Sequence, residues 1–127
     1  MSTYTPSQSH SQQAYRASSV LTASPGQLVV MLYDGARRFL SQASVAMGER
    51  EIMVAHNKLT RAENIIRHLH GTLDMDQGQI AERLQSIYIF SQGHLRQARL
   101  DQDPRKIDEV NELLGKLRES WATIAAE

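Results

Sequence analysis

Residues 103–124 read D-P-R-K-I-D-E-V-N-E-L-L-G-K-L-R-E-S-W-A-T-I, and this stretch decides the fold class. Its apolar side chains recur at alternating intervals of three and four residues, at Ile107, Val110, Leu114, Leu117, Trp121 and Ile124. This spacing places them along one face of an α-helix and is typical of a helix in a bundle. Asp103 and Pro104 suit the N-cap and the first helical position, so we expect the helix to begin there.

The earlier parts of the chain carry similar patterns. Residues 50–70 show the same alternating stripe, at Ile52, Ala55, Leu59, Ala62, Ile66 and Leu69. A third predicted helix, over residues 79–100, has its core stripe at Ile80, Leu84, Ile87, Leu95 and Ala98. The first long helix is expected to begin after Ser24, because Pro25 and Gln27 complete the pattern of a capping box. It runs to about Met47, and Gly48 marks its end.

Four helices with short connections predict an all-α fold, an antiparallel up-and-down four-helix bundle. Residues 1–13 are rich in Ser and Gln and bury too little apolar surface to become ordered, so we expect a flexible tail. Residues 14–127 are then a single bundle domain, with a short N-terminal helical cap segment before the first long helix. On the second helix, Glu63 and Arg67 have the spacing of a solvent-exposed ion pair.

Composition argues against several classes of partner and environment. The chain has 14 Lys and Arg against 14 Asp and Glu, so we expect neither nucleic acid nor an anionic membrane as partner. It contains no cysteine, which fits a reducing cytoplasm and excludes thiolate metal sites. The apolar run at residues 28–33 is far too short to span a membrane, and no signal peptide is evident. These features predict a cytoplasmic protein without stable membrane insertion.

Motifs that would indicate an enzyme are not evident. His56, His68 and His70 share one predicted helix, yet no two stand three or four residues apart, so one face cannot present two of them to a metal. The acidic loop at residues 74–78 does not match the spacing of a calcium-binding loop. The chain lacks a glycine-rich phosphate loop and a nucleophile elbow. We therefore predict no catalytic, cofactor or metal site.

Apolar residues outside the core stripes suggest a binding surface. On the first helix the core arc holds Leu28, Leu32, Ala36, Phe39, Ala43 and Ala46. Tyr33 and Leu40 are predicted at its margin, with Val30 and Met31 outside it. On the third helix, Tyr88 is predicted at the edge of the stripe, while Ile89 and Phe90 point elsewhere. Single exposed apolar residues are also common on ordinary surfaces, so the pattern leaves both interpretations open.

A groove for an apolar partner helix would give these residues a function. The short apolar segment before the first helix would then act as a displaceable cover. The predicted partner-binding residues are Tyr15, Val20, Leu21, Val30, Met31, Tyr33, Leu40, Tyr88, Ile89 and Phe90.

Several stretches resemble the flagellin-specific export chaperones of the flagellar type III secretion system. These are A-Y-R-A-S-S-V at residues 14–20, T-A-S-P-G-Q-L at 22–28 and M-L-Y-D-G-A at 31–36. R-A-E-N-I-I at 61–66 and E-V-N-E-L-L at 109–114 resemble later parts of that family. The chain departs from the family's usual Tyr-Asp-Tyr pattern, because it has Tyr88-Ile89-Phe90 at that place.

The resemblance implies a helical bundle that binds the C-terminal region of flagellin. It would prevent premature polymerisation and aid delivery to the flagellar export apparatus. An anti-sigma factor and the export gate are the further partners that the family implies. The alternative from the residues alone is a structural homo-oligomer without a client, in which the surplus apolar surface is a self-interface. An enzyme using a polar pocket in the bundle is the least supported hypothesis.

Overall fold

The computed structural model describes residues 24–126, and side chains over 24–123. This part of the chain folds into four α-helices: α1 (Pro25–Gly48), α2 (Ile52–Gly71), α3 (Gln79–Asp101) and α4 (Pro104–Ala126). A short 3₁₀ turn, Met75–Gln77, lies between α2 and α3. No strand occurs in residues 24–126, which confirms the predicted all-α fold. The proposed tail and cap segment lie outside the described residues.

Local capping signals set the starts of α1 and α4. The Gln27 amide donates a hydrogen bond to Ser24 Oγ at 3.2 Å, and the Ser24 amide donates to Gln27 Oε1 at 2.8 Å. This reciprocal pair satisfies two amides that helix geometry leaves without partners. At α4, the Arg105 amide donates to Asp103 Oδ1 at 3.0 Å. Both predicted helix starts are therefore confirmed.

The helices form a four-membered ring in chain order. Each packs against its neighbours in sequence, and α4 packs against α1, so α1 and α3 occupy opposite corners. Between α1 and α4, Asp34 bonds to Arg118 while Ser41 bonds to Asn111. Since residue numbers rise along one helix as they fall along the other, the pair is antiparallel. This confirms the predicted up-and-down bundle.

Small side chains allow α1 to approach both of its neighbours closely. Ala36 and Ala43 of α1 are completely buried. On α2, Ala62 is completely buried and Ala55 is almost completely buried. The distance between packed helices depends on the side chains at their contact. The backbone of α1 accordingly lies near α2 and α4 over much of its length, whereas α3 shares fewer close approaches with its neighbours. The core is thus built around α1.

The predicted core stripes are correct at their centres and wrong at some ends. Leu59 and Ile66 of α2 are fully buried, as is Leu114 of α4. Ile52 and Ile80, however, are mostly exposed, although the pattern placed both in the core. Each lies in the first turn of its helix, where no neighbouring layer covers the side chain. Leu117 and Trp121 are partly buried and pack against the core from its edge.

The predicted Glu63–Arg67 ion pair is also wrong. Glu63 instead accepts two hydrogen bonds from the Arg99 guanidinium of α3, at 2.7 and 3.0 Å, and Arg67 donates to Asn64. A guanidinium fork matches both oxygens of a carboxylate, which makes the contact with α3 stronger than a solvated pair along one helix. The bond fixes the position of α3 against α2.

Candidate partner-binding surface

The four outward-facing residues on α1 and α3 do not form one continuous patch. Val30 and Met31 are half-buried on α1, whereas Ile89 and Phe90 on α3 are 55% and 50% exposed. Since α1 and α3 occupy opposite corners of the bundle, their exposed sides face away from each other. The Phe90 ring stacks on His94, which contacts Glu109 of α4. The apolar surface is therefore divided between two regions.

Three residues predicted for the surface lie in the core. Tyr33 and Leu40 are completely buried, and Tyr88 is 2% exposed. Their predicted position at the margin of a stripe is wrong. The arc of α1 that faces the other helices is centred nearer Leu40 than the sequence pattern suggested. Met47 of α1 belongs to the same buried set. In this conformation these side chains lie beneath the surface of the bundle and do not face a partner.

Tyr33 and Tyr88 join the opposite helices α1 and α3 through their hydroxyl groups. The two oxygens lie 2.5 Å apart. Burial raises the pKa of both phenols; the shared hydrogen bond opposes this at Tyr33 and reinforces it at Tyr88. Both groups therefore remain neutral at physiological pH, and each satisfies the other's need for a partner in an apolar environment.

A mostly apolar cavity of about 200 Å³ opens at the end of the bundle where α1 begins. Its lining comes from all four helices and the α2–α3 connection: Val29, Leu69, Thr72, Leu73, Asp74, Gln77, Ile80, Ala81, Leu84, Tyr88 and Trp121. Tyr88 and Trp121 link the cavity to the buried tyrosine pair. This cavity could not be predicted from the sequence, because residues distant in sequence form it at the junction of several helix ends.

Further apolar side chains are exposed at the opposite end of the bundle. They are Val45 near the end of α1, Ile52, Met53 and Val54 in the first turn of α2, and Leu100 near the end of α3. This region was not among the predicted binding residues. The run Ile52-Met53-Val54 could have indicated exposed apolar surface, since three consecutive apolar residues cannot all face one side of a helix.

The remaining predicted residues, Tyr15, Val20 and Leu21, lie outside the described residues. Over residues 24–126, no cluster of three or more His, Cys, Asp or Glu side chains is arranged to hold a metal ion. None of the helices in that range combines the length and the apolar character needed to cross a membrane.

Comparison with known proteins places this bundle in a family. A family model described as "Flagellar protein FliS" matches residues 7–127. The flagellar secretion chaperone FliS of Salmonella typhimurium is 36% identical over 110 residues, covering 85% of this chain and 82% of the relative. The same-named protein of Vibrio cholerae is 36% identical over 122 residues, covering 92% and 90%. That of Bacillus subtilis is 31% identical over 108 residues, covering 85% and 80%. Because the family model and these relatives extend over most of the chain, the protein belongs to the FliS family of flagellar secretion chaperones.

Proposed function

We propose that this protein is an export chaperone that binds the C-terminal region of flagellin. The observation that carries the proposal is its membership of a family whose named relatives are flagellar secretion chaperones. Binding prevents premature polymerisation of flagellin and aids its delivery to the flagellar export apparatus. Since the client must be held before export, the protein acts in the cytoplasm. The role involves no catalytic step and no cofactor.

An extended client fits the distribution of apolar surface. Met31 on α1 and Phe90 on α3 lie at opposite corners, so a small compact ligand cannot contact both. A segment that becomes ordered along the bundle reaches both regions and spreads its ordering cost over many contacts. The cavity beside Leu84 and Trp121 adds a recess for an apolar side chain of the client.

The remaining parts of the proposal concern the N-terminus and further partners. Residues 1–13 are proposed as a flexible tail, and residues 14–127 as the single functional domain. Tyr15, Val20 and Leu21 are proposed to cover the client-binding surface until flagellin displaces them. The export gate and an anti-sigma factor are proposed as further protein partners.

A structural homo-oligomer is the competing function, and the exposed apolar end of the bundle favours it. Met53 and Leu100 are 79% and 72% exposed there, and a symmetric self-interface would cover them. Sedimentation equilibrium with and without flagellin separates the two functions. A chaperone forms a complex with flagellin, whereas a structural oligomer forms a concentration-dependent dimer that flagellin neither dissociates nor joins.

The direct test is calorimetric titration of the protein with the C-terminal segment of flagellin from the same bacterium. The double variant Met31→Ser, Phe90→Ser should bind more weakly, because it removes apolar contact from both regions. The matched control is Met53→Ser, Leu100→Ser, which makes a similar change at the other end and should bind like the wild type. Melting curves of all three proteins should agree within about 5 °C.

Three outcomes would contradict different parts of the proposal. Absence of binding to the wild type would reject flagellin as the client. Equal affinity of the wild type and the Met31→Ser, Phe90→Ser variant would reject these residues as the contact surface while leaving the client intact. Loss of the folded state in that variant would show that the two residues belong to the core.

A further inference from the structure

The outer side of the α1–α2 pair carries positive charge beside apolar side chains. Lys58 Nζ and Arg61 Cζ of α2 each lie 5.7 Å from the centre of the Phe39 ring of α1. Arg38 is exposed and lies one turn from Gly35, whose α-carbon faces Ile65 of α2. We call Arg38, Lys58 and Arg61 the basic face.

Within residues 24–126, no carboxylate forms an ion pair with a residue of the basic face. Arg61 donates to the neutral amide oxygen of Asn57 at 3.1 Å. In contrast, Arg99 and Arg118 are each paired with an acid of a neighbouring helix. The basic face therefore offers charge that the described part of the bundle does not neutralise.

Apolar contact surface continues directly from the basic face. A shallow depression of about 460 Å³ between α1 and α2 is lined by Lys58 together with Val45 and Val54, which are 61% and 44% exposed. Glu49 and Glu51 of the α1–α2 connection also line it. A ligand that fits this surface has apolar groups for the valines and anionic groups for the cations. An amphipathic peptide segment with Asp or Glu beside its apolar residues has that chemistry.

The N-terminal segment of this chain and a second copy of the chain both fit this surface less well than such a peptide. Residues 1–23 of this chain contain no Asp or Glu, so the N-terminal segment cannot supply the missing carboxylates. A second copy joined through the same face would place like charges against each other, which opposes a symmetric dimer.

We infer, on the basis of the proposed function, that the basic face binds an acidic amphipathic stretch of the flagellin C-terminal region. The cations select and orient the client through its carboxylates, and Val45 and Val54 bury its apolar residues. This contact adds to the client contacts at Met31 and Phe90. It gives the chaperone a means of fixing the direction in which the client lies along the bundle.

The test compares two charge-reversed proteins in titrations with the flagellin C-terminal segment. One carries Arg38→Glu, Lys58→Glu and Arg61→Glu. The matched control carries Arg83→Glu, Arg96→Glu and Lys116→Glu, three exposed residues on α3 and α4 that also make no ion pair within the described residues. Both proteins have the same net charge, so a general electrostatic effect lowers affinity equally in both.

We expect the basic-face variant to lose about tenfold in affinity relative to the control, as several exposed charge pairs would together produce. Added salt should weaken binding of the wild type more than binding of this variant. Replacing the acidic residues of the flagellin segment by Lys should restore its binding to the variant.

Equal affinities of the two charge-reversed proteins, or failure of the Lys-substituted segment to restore binding, would overturn the inference while leaving flagellin as the client. Absence of binding to the wild type would remove both the inference and the proposed function. Circular dichroism melts establish that each variant is folded before titration.

Discussion

Tyr33 and Tyr88 carry a polar interaction through a mostly apolar core. Their hydroxyl groups lie 2.5 Å apart between α1 and α3, the two helices at opposite corners of the bundle. A buried hydroxyl without a partner costs about 1–3 kcal/mol, whereas a satisfied pair avoids that cost. The pair therefore favours one arrangement of α1 and α3 over others of similar apolar burial.

Replacing either tyrosine by phenylalanine tests this role. Tyr33→Phe and Tyr88→Phe should each lower the free energy of unfolding by about 1–2 kcal/mol, because each leaves one buried hydroxyl unsatisfied. The double variant should lose clearly less than the sum of the two, since it has no such hydroxyl left. Urea unfolding of the four proteins measures this coupling. Additive losses would show that the two hydroxyl groups do not interact.

At the scale of a single helix, features set by neighbouring residues could be predicted from the sequence, whereas features set by the other helices were predicted less completely. The start of α1 was predictable because Ser24, Pro25 and Gln27 create the cap among themselves. The side of α1 that faces the core was predicted only in part, with Ala36 and Ala43 placed correctly and Leu40 placed at the margin, because the centre of that side depends on where the other helices lie. Helical geometry placed Tyr33 at the margin of the core arc, and its contact with Tyr88 explains how its hydroxyl group is buried.

The third helix shows how tertiary packing overrides a local weakness. Glycine within a helix costs about 1 kcal/mol relative to alanine, yet α3 continues without interruption through Gly93. Leu95 and Ala98 beyond the glycine are completely buried, so their packing offsets the local cost. The bidentate contact of Arg99 with Glu63 supports the same part of α3. The burial of Leu95 and Ala98 was predicted from the stripe of α3, whereas the contact of Arg99 with Glu63 depends on where α2 lies.

The proposed cover is an element whose removal has a defined consequence. Deleting residues 1–20 removes Tyr15 and Val20, the apolar side chains proposed to lie on the surface near Met31. We expect the shortened protein to bind more of a dye that reports exposed apolar surface, and α1 to exchange its amide hydrogens faster. Hydrogen exchange followed by mass spectrometry resolves α1 from the other helices. Unchanged dye binding together with unchanged exchange in α1 would show that the segment is not a cover.

For the molecule as a whole, the sequence predicted the architecture better than it predicted the surfaces. The periodic stripes and caps sufficed for four antiparallel helices. The apolar cavity, the basic face and the separation of Met31 from Phe90 all depend on how side chains from different helices are placed. A single-helix pattern contains no information about that placement, so these features became visible only in the assembled bundle.

For the whole molecule, we propose that the bundle holds the C-terminal region of flagellin on a surface distributed over several helices. Flagellin bound in this way cannot join a growing filament, because the residues it needs for the filament are in contact with the chaperone. A chaperone with this function suppresses polymerisation in proportion to the fraction of flagellin in the complex. A structural oligomer without a client has no such effect.

The most direct measurement of this claim is light scattering by polymerising flagellin of the same bacterium at increasing ratios of this protein. The account predicts that scattering decreases with added protein and is largely suppressed near equal molar amounts. The Met31→Ser, Phe90→Ser variant should suppress it less at each ratio, and the Met53→Ser, Leu100→Ser control should act like the wild type. Polymerisation that proceeds at the same rate and to the same extent at every ratio would contradict the account.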